Sequence, residues 1–434
     1  MNWREIYKSR IFTVEEALKK IPENSRMFLA HSMSEPTYLV ESMCDHKEWF
    51  TNVEVCHLGS SGKHRYCTEE GMEGHLRHNS FFVSSLSRKA VSEGRADYTP
   101  AFFHELPKLL GDTIPVDVLM LTVTPPDENG KVSLGLSCDY TKAALEKATL
   151  VIAQVNDQWP YTYGDSIVDV SEIDCFVLHD EPIPELLPGP LTDVEKGIGK
   201  YCASLIEDGD TLQLGIGSLP DAVLSYLVDK KDLGIHTELM CDGVMNLMKA
   251  GVITNKRKKI NSGVATTAFI MGTKEMYDFV DRNPKIEMKT VDYTNNPVTI
   301  AQLDHIVSIN SAVQVDFQGQ VCSESIGLIQ ISAVGGQVDF VRGAAMAEHG
   351  KSIIAMPSTV KEKISKIVPI LDEGAAVTTS RNDVDYVVTE YGIAHLKGKS
   401  LKQRSKALIE IAHPKFKDEL VRSFEERYHC KYED

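Results

Sequence analysis

The chain is expected to be an α/β protein made of two related open-sheet domains. Three observations predict that class. Apolar runs of strand length recur through the sequence, at 27–30, 53–58, 116–123, 150–155, 211–214, 307–315 and 353–355. The longer ones are nearly continuous, as expected of strands covered on both faces. Segments with helical spacing alternate with them, the signature of a layered parallel sheet. A strand–turn–helix–strand order also occurs twice, in 27–59 and 211–243. The two copies align without a gap at an offset of 184, which sets Pro36 on Pro220, Asp45 on Asp229, Glu54 on Glu238 and Gly59 on Gly243.

A length of 434 residues calls for more than one domain. With 42% hydrophobic and 25% charged residues, the composition is that of a globular protein. The net charge of -16 argues against nucleic acid and anionic membranes as partners, although an anionic small molecule can still be bound locally. No apolar run is long enough to span a bilayer, and the first residues, MNWREIYKSR, lack a signal-peptide core. Nine cysteines without CxxC pairs read as reduced thiols, so a cytoplasmic location is expected.

In chain order, a helical pattern at 14–21 precedes the strand at 27–30. The segment Ala30-His31-Ser32-Met33-Ser34-Glu35-Pro36 then leads into a helix through Leu39, Val40 and Met43. After the strand at 116–123, Pro125-Pro126-Asp127-Glu128-Asn129-Gly130 supplies turn chemistry. A helix at 140–147 and a strand at 150–155 follow. Four prolines between Pro182 and Pro190 mark a linker, so the expected domains are 1–180 and 192–434, joined by 181–191. Thr192-x-x-Glu195 is a capping box for a helix reaching 206. The chain is expected to end with a strand at 386–388 and a helix at 401–412.

The second copy of the repeat carries the main candidate site. Its strand at 211–214 runs into Gly215-Ile216-Gly217-Ser218, and Pro220 falls in the first helical turn. Glycines there let backbone N–H groups approach an anion at a partially positive helix end. The third glycine of a dinucleotide fingerprint is replaced by Pro220, which argues against a dinucleotide site. Glu238 is an isolated acid in the next apolar run, and a carboxylate beside an anion cradle can act as a nucleophile on an activated acyl group. The first copy has no glycine at 31 or 33, which favours Glu238 over Glu54. Gly335-Gly336-Gln337 is a second turn where backbone could close on a ligand. Lys361, Lys363 and Lys366 read as a solvated charged turn that could also meet a phosphate. His64-x-x-Cys67 and His75-x-x-His78 have ligand-like spacing, but they fall in a polar segment expected to be a mobile loop, and no metal is expected.

These motifs together resemble the family I CoA-transferases, and within them the 4-hydroxybutyrate and butyrate:acetate enzymes. The resemblance runs the length of the chain. It is carried by Leu212-Gln213-Leu214-Gly215-Ile216-Gly217-x-x-Pro220, by Gly234-Ile235-His236-Thr237-Glu238, by Gly335-Gly336-Gln337-Val338-Asp339-Phe340 and by Thr378-Thr379-Ser380-Arg381. It implies two domains of the CoA-transferase type with the active site at their interface, and Glu238 as the catalytic glutamate. It further implies CoA or oxyanion contacts from Gly215, Ile216, Gly217, Ser218 and Leu219, a second glycine turn at Gly335 and Gly336, and CoA contacts from Asn295 and Lys363. His31 and Gln213 are carried over to the substrate pocket.

The function so implied is transfer of CoA between a short-chain acyl-CoA, 4-hydroxybutyryl- or butyryl-CoA, and a carboxylate such as acetate. The route is ping-pong through a glutamyl-CoA thioester. Coenzyme A enters as a thioester substrate, no tightly bound cofactor is required, and a homodimer or homotetramer is expected. The alternatives are an acyl-CoA hydrolase using the same glutamate, or a non-catalytic module sensing acyl-CoA or a sugar phosphate.

Overall fold

A computed structural model describes residues 2–433. The chain divides into two compact units, Met1–Leu186 with Thr266–Thr294, and Leu187–Ala265 with Asn295–Asp434.

The first unit is built on seven parallel strands: β1 (Arg26–Leu29), β2 (Val53–His57), β3 (Leu76–Ser80), β4 (Asp97–Tyr98), β5 (Val118–Val123), β6 (Leu150–Val155) and β7 (Cys175–Leu178). They lie in the order β4-β3-β2-β1-β5-β6-β7. All six residues of β5 are buried, which explains its unbroken apolar run. Helix α1 (Thr37–Asp45) joins β1 to β2 and buries Leu39, Val40, Met43 and Cys44 against the sheet core. Residues 266–294 group with this unit because their backbone bonds to it: Cys138 N–H donates to Ala268 O (3.1 Å), Ile270 N–H to Leu136 O (2.8 Å) and Met288 N–H to Tyr163 O (2.9 Å). No hydrophobic pattern announces such a return.

Residues 179–192 contain no regular structure. Helix α2 (Asp193–Ser204) then begins at Thr192, whose hydroxyl accepts from Glu195 N–H while the Glu195 carboxylate accepts from Thr192 N–H, the capping box read from the sequence.

The second unit carries β8 (Thr211–Leu214), β9 (Gly234–Met240), β10 (Ile306–Ser311), β11 (Lys351–Ala355), β12 (Tyr386–Thr389) and β13 (Gly392–His395). Their order is β9-β8-β10-β11-β12-β13; only the β12–β13 pair is antiparallel. Helix α3 (Ser218–Ser225) follows β8, and helix α4 (Gln337–Met346) precedes β11. The helix expected at 401–412 spans Leu401–Glu410, and a further helix, Pro414–Tyr428, follows it. No helix among the described residues is long and apolar enough to cross a membrane.

Both units thus lead outward from a central strand and return on its other side, β1 to β5 and β8 to β10. That shared order supports two related domains and creates in each unit a topological switch point. Ligands of open α/β sheets bind there, beyond the carboxyl ends of the strands. The gap-free alignment, however, fails after the helix. Met27 pairs with Val55, whereas Thr211 pairs with Gly234. The connection is therefore five residues shorter in the second unit, and the position equivalent to Glu238 is Gly59, not Glu54. Glu54 lies at the start of β2, ion-paired with Arg26 and accepting a 2.8 Å hydrogen bond from Asn79 Nδ2.

Candidate active site

Glu238 is the one partly exposed residue of β9, whose other six residues are buried. Thr237 Oγ1 donates to Leu214 O (3.1 Å), which sets Glu238 abreast of the loop leaving β8. Its Oε2 accepts a 2.7 Å hydrogen bond from the buried Asn295 Nδ2. Gly336 caps α4 on the other side, and a β-carbon at that position would overlap the carboxylate oxygen. Glycine is required there for close approach, and the approach brings Glu238 to the partially positive end of a ten-residue helix. Gly335, at φ 52°, makes the turn into it.

The β8–α3 loop is open. Gly217 adopts φ 106°, a region that other residues enter only with strain, and nothing lies within 4 Å of where a β-carbon would stand at Gly215 or Gly217. Ile216 is exposed, Leu219 is buried, and Ser218 Oγ donates to the Glu195 carboxylate. Beneath the loop, Gln213 is buried on β8. Its Oε1 accepts from Ser308 Oγ (2.7 Å) and Asn310 Nδ2 (3.2 Å) on β10, partners that no local pattern announces. Cys241, three residues beyond Glu238, is buried, and burial pushes its thiol up to about 11.

In the first unit, His31 follows β1 at the carboxyl end of the sheet. Its Nδ1 lies 2.6 Å from Oδ2 of the fully buried Asp139. The ring packs among Phe103, Tyr140 and Phe269, with centroids 5.7, 6.0 and 4.4 Å away.

This arrangement offers a carboxylate positioned by an amide N–H and a helix end, beside an open glycine loop. Residues 1–188 match the acetyl-CoA hydrolase/transferase N-terminal domain, and residues 272–424 match the C-terminal domain of the same name. Over 99% of its length the chain is 56% identical to the 4-hydroxybutyrate coenzyme A transferase of Clostridium kluyveri, covering all of that protein. The chain belongs to the acetyl-CoA hydrolase/transferase family.

The resemblance to CoA-transferases read from the motifs therefore holds. Other family members agree with it. The chain is 38% identical to the butyryl-CoA:acetate CoA-transferase of Anaerostipes caccae, across 98% of each chain. The crystal structure of 4-hydroxybutyrate CoA-transferase from Porphyromonas gingivalis superposes with a TM-score of 0.86 at 41% identity, covering 98% of this chain and 100% of that one. Residues 212–243, with Glu238, lie between the two matched family domains.

Several expectations of this family member need correction or relocation. Lys363 sits on the exposed turn of a small hairpin, Thr359–Val360 with Ile364–Ser365. Lys366 is not solvated: its Nζ donates to Ala312 O (2.7 Å), and burial lowers it to about 8. The 64–78 segment is not a mobile polar loop either. Tyr66, Cys67, Met72 and Leu76 anchor it in the core, and His64 and His78 are completely buried. His78 stacks on His57 at 4.5 Å, and His57 Nε2 lies 2.7 Å from Tyr66 Oη. Among the described residues, no group of three or more His, Cys, Asp or Glu side chains is placed to hold a metal ion. A cavity of about 760 Å³ in the first unit, walled by Trp159, Tyr161, Tyr277 and Arg282, contains none of the candidate residues. Its charges serve local structure: Lys274 pairs with Asp278 (2.7 Å), and Asp281 Oδ1 accepts from Tyr161 N–H (2.7 Å).

Proposed function

We propose that the chain transfers CoA between 4-hydroxybutyryl-CoA or butyryl-CoA and a carboxylate such as acetate, with Glu238 as the nucleophile. The observation that carries this reading is the Asn295–Glu238–Gly336 arrangement. Glu238 attacks the thioester carbonyl; a C–O bond forms, the C–S bond breaks, and CoA leaves as its thiolate. The thiolate then attacks the glutamyl carbonyl of the resulting anhydride, releasing the first acid and leaving a glutamyl-CoA thioester. An incoming carboxylate reverses the two steps, carries CoA away and restores Glu238. No water is consumed.

Each addition places negative charge on a carbonyl oxygen. Asn295 Nδ2, the end of α4 and the backbone N–H groups of Gly215 to Leu219 are fixed donors suited to it. In this reading the open loop also faces CoA, Gln213 supports the loop from below, Lys363 meets a phosphate of CoA, and His31 belongs to the acyl pocket. The nine cysteines are free thiols, consistent with a cytoplasmic enzyme. A homodimer or homotetramer is the expected assembly, which light scattering measures.

The test is intact mass after mixing the protein with butyryl-CoA alone, followed by borohydride treatment and peptide mapping. A CoA adduct on the protein, or Glu238 reduced to its alcohol, supports the transferase. Butyryl-CoA bound with Glu238 unmodified, or consumed to free acid without an adduct, removes the nucleophile assignment and favours binding or direct hydrolysis.

A further inference from the structure

We propose that Gln337 is a positioning residue for the reaction, its carboxamide fixing the Gly335–Gly336 turn against Glu238. The inference rests on the proposed function and adds to it a residue that acts through Gly336.

The turn needs support from outside itself. Gly335 and Gly336 have no side chains to pack, and glycine is the residue with the most backbone freedom to lose. Gly336 is also the N-cap of α4, where it can offer no side-chain cap. Further along, α4 is held by packing. Phe340 and Ala344 are buried with Ile300 and Leu303, and a β-carbon at Gly343 would stand 2.5 Å from Ile300. Those contacts begin one helical turn beyond Gly336. The first turn is tied instead by Gln337, whose Nε2 donates to Ser311 O (2.9 Å). Ser311 ends β10, a strand paired with β8 on one side and with β11 on the other, where Ser311 lies opposite Ala355. The amide thus fastens the mobile turn to the middle of the sheet.

The other half of the same amide is unused. Gln337 is 6% exposed, and its Oε1 is buried with no donor from any described residue. A flip of the amide does not remove the problem, because only its NH₂ end can bond to a carbonyl. A buried acceptor left unpaired destabilises the fold. Ser311 O has no need of this particular donor, since it also accepts from Ser323 Oγ (3.1 Å) and Ser311 is exposed. An apolar side chain of similar length would therefore suit the fold at least as well. What glutamine adds is the position of its neighbour, the glycine whose β-carbon would overlap the Glu238 carboxylate. A side chain that costs stability and acts beside the reacting group is retained for the reaction, not for the fold.

The experiment compares the full-length protein with Gln337→Met, which keeps the length of the side chain and removes both amide atoms. With butyryl-CoA and acetate, kcat should fall roughly 10- to 100-fold while both KM values stay within about threefold. The thermal unfolding midpoint should stay level or rise. Rate and stability moving apart is a result that a merely structural role would not produce. Gly336→Ala already displaces the carboxylate, so adding Gln337→Met to it should cost little further rate, and the two losses should be less than multiplicative. Gln337→Leu repeats the measurement with a stiffer apolar side chain and should move rate and midpoint the same way. An unchanged kcat, a midpoint that falls together with kcat, or fully multiplicative losses overturn the proposal. So does failure of both apolar variants to fold, since the fold should be indifferent to the amide. A wild-type protein that forms no glutamyl-CoA adduct with butyryl-CoA overturns the proposed function as well, whereas an adduct formed at the same rate in the wild type and Gln337→Met overturns this inference alone.

Discussion

Asn295 Nδ2 donates a 2.7 Å hydrogen bond to Oε2 of Glu238, although the two residues stand 57 positions apart. In the proposed mechanism the amide has a specific consequence for the reaction. It holds the carboxylate in one orientation at rest, and its N–H is available to a developing oxyanion once that carboxylate becomes an acyl carbon. Asn295→Ala should therefore reduce kcat for CoA transfer by about 10²- to 10³-fold, the usual effect of deleting one such donor. Steady-state kinetics with butyryl-CoA and acetate check this, and a change in KM alone would count against it.

Glu238→Gln keeps the shape and the contact with Gly336 but removes the proposed nucleophile. No adduct should form with butyryl-CoA, while the thermal unfolding midpoint stays near that of the wild type. Gly336→Ala tests the same contact from the opposite side. A methyl group there must displace the carboxylate, so transfer should fall at least tenfold, and activity near the wild-type level would mean that the close approach is dispensable.

Glu54→Gln should be mild. Its carboxylate pairs with Arg26 at the amino-terminal end of the strands, and both side chains are partly exposed. Pairs of this kind contribute about 0–1 kcal/mol. Transfer rates should stay within about twofold of the wild type, and a loss comparable to that of Glu238→Gln would contradict the strand register.

Glu35 provides a test by pH. Burial raises its carboxyl from the ordinary 4.5 to about 7, although Ser60 Oγ and Gly62 N–H bond to it and pull the other way. The native state then holds a proton that the unfolded chain has released, so this group's contribution to stability is lost as pH rises from about 4.5 to about 7. The stability of the wild type relative to Glu35→Gln, from urea titrations at pH 5 and 7.5, should decrease at the higher pH. A difference independent of pH would show that Glu35 is ionised in the native state.

The histidine cluster has the opposite sign. Burial lowers His78 to about 4, only partly countered by its bond to Val55 O, and His57 and His64 are lowered as well. Unfolded histidines take up protons near 6.5, so stability should fall as pH drops from about 6.5 to about 4. His78→Phe, which can keep the stack on His57, should make that decline shallower in denaturant titrations across the interval.

Features that depend on neighbours along the chain were legible from the residues. The apolar run of β5 marks a strand covered on both faces, Thr192 and Glu195 announce the start of α2, and the glycine turn after β8 with an isolated acid in the next strand makes Glu238 a candidate. These are local: propensity, period and cap chemistry act over a few residues. The tertiary structure alone decided the pairing register, because packing of the crossover helix, not the pattern of either strand, sets which residues lie abreast. A connection five residues shorter between β8 and β9 moves the counterpart of Glu238 from Glu54 to Gly59. Long-range partners were equally hidden. Asn295 beside Glu238, Ser308 and Asn310 beneath Gln213, and Asp139 behind His31, 108 positions away, meet only when the sheets form. Nothing in a short window of sequence distinguishes Asp139 from any other turn aspartate; its burial does, because a buried carboxylate must be matched by donors, and the folded chain supplies four.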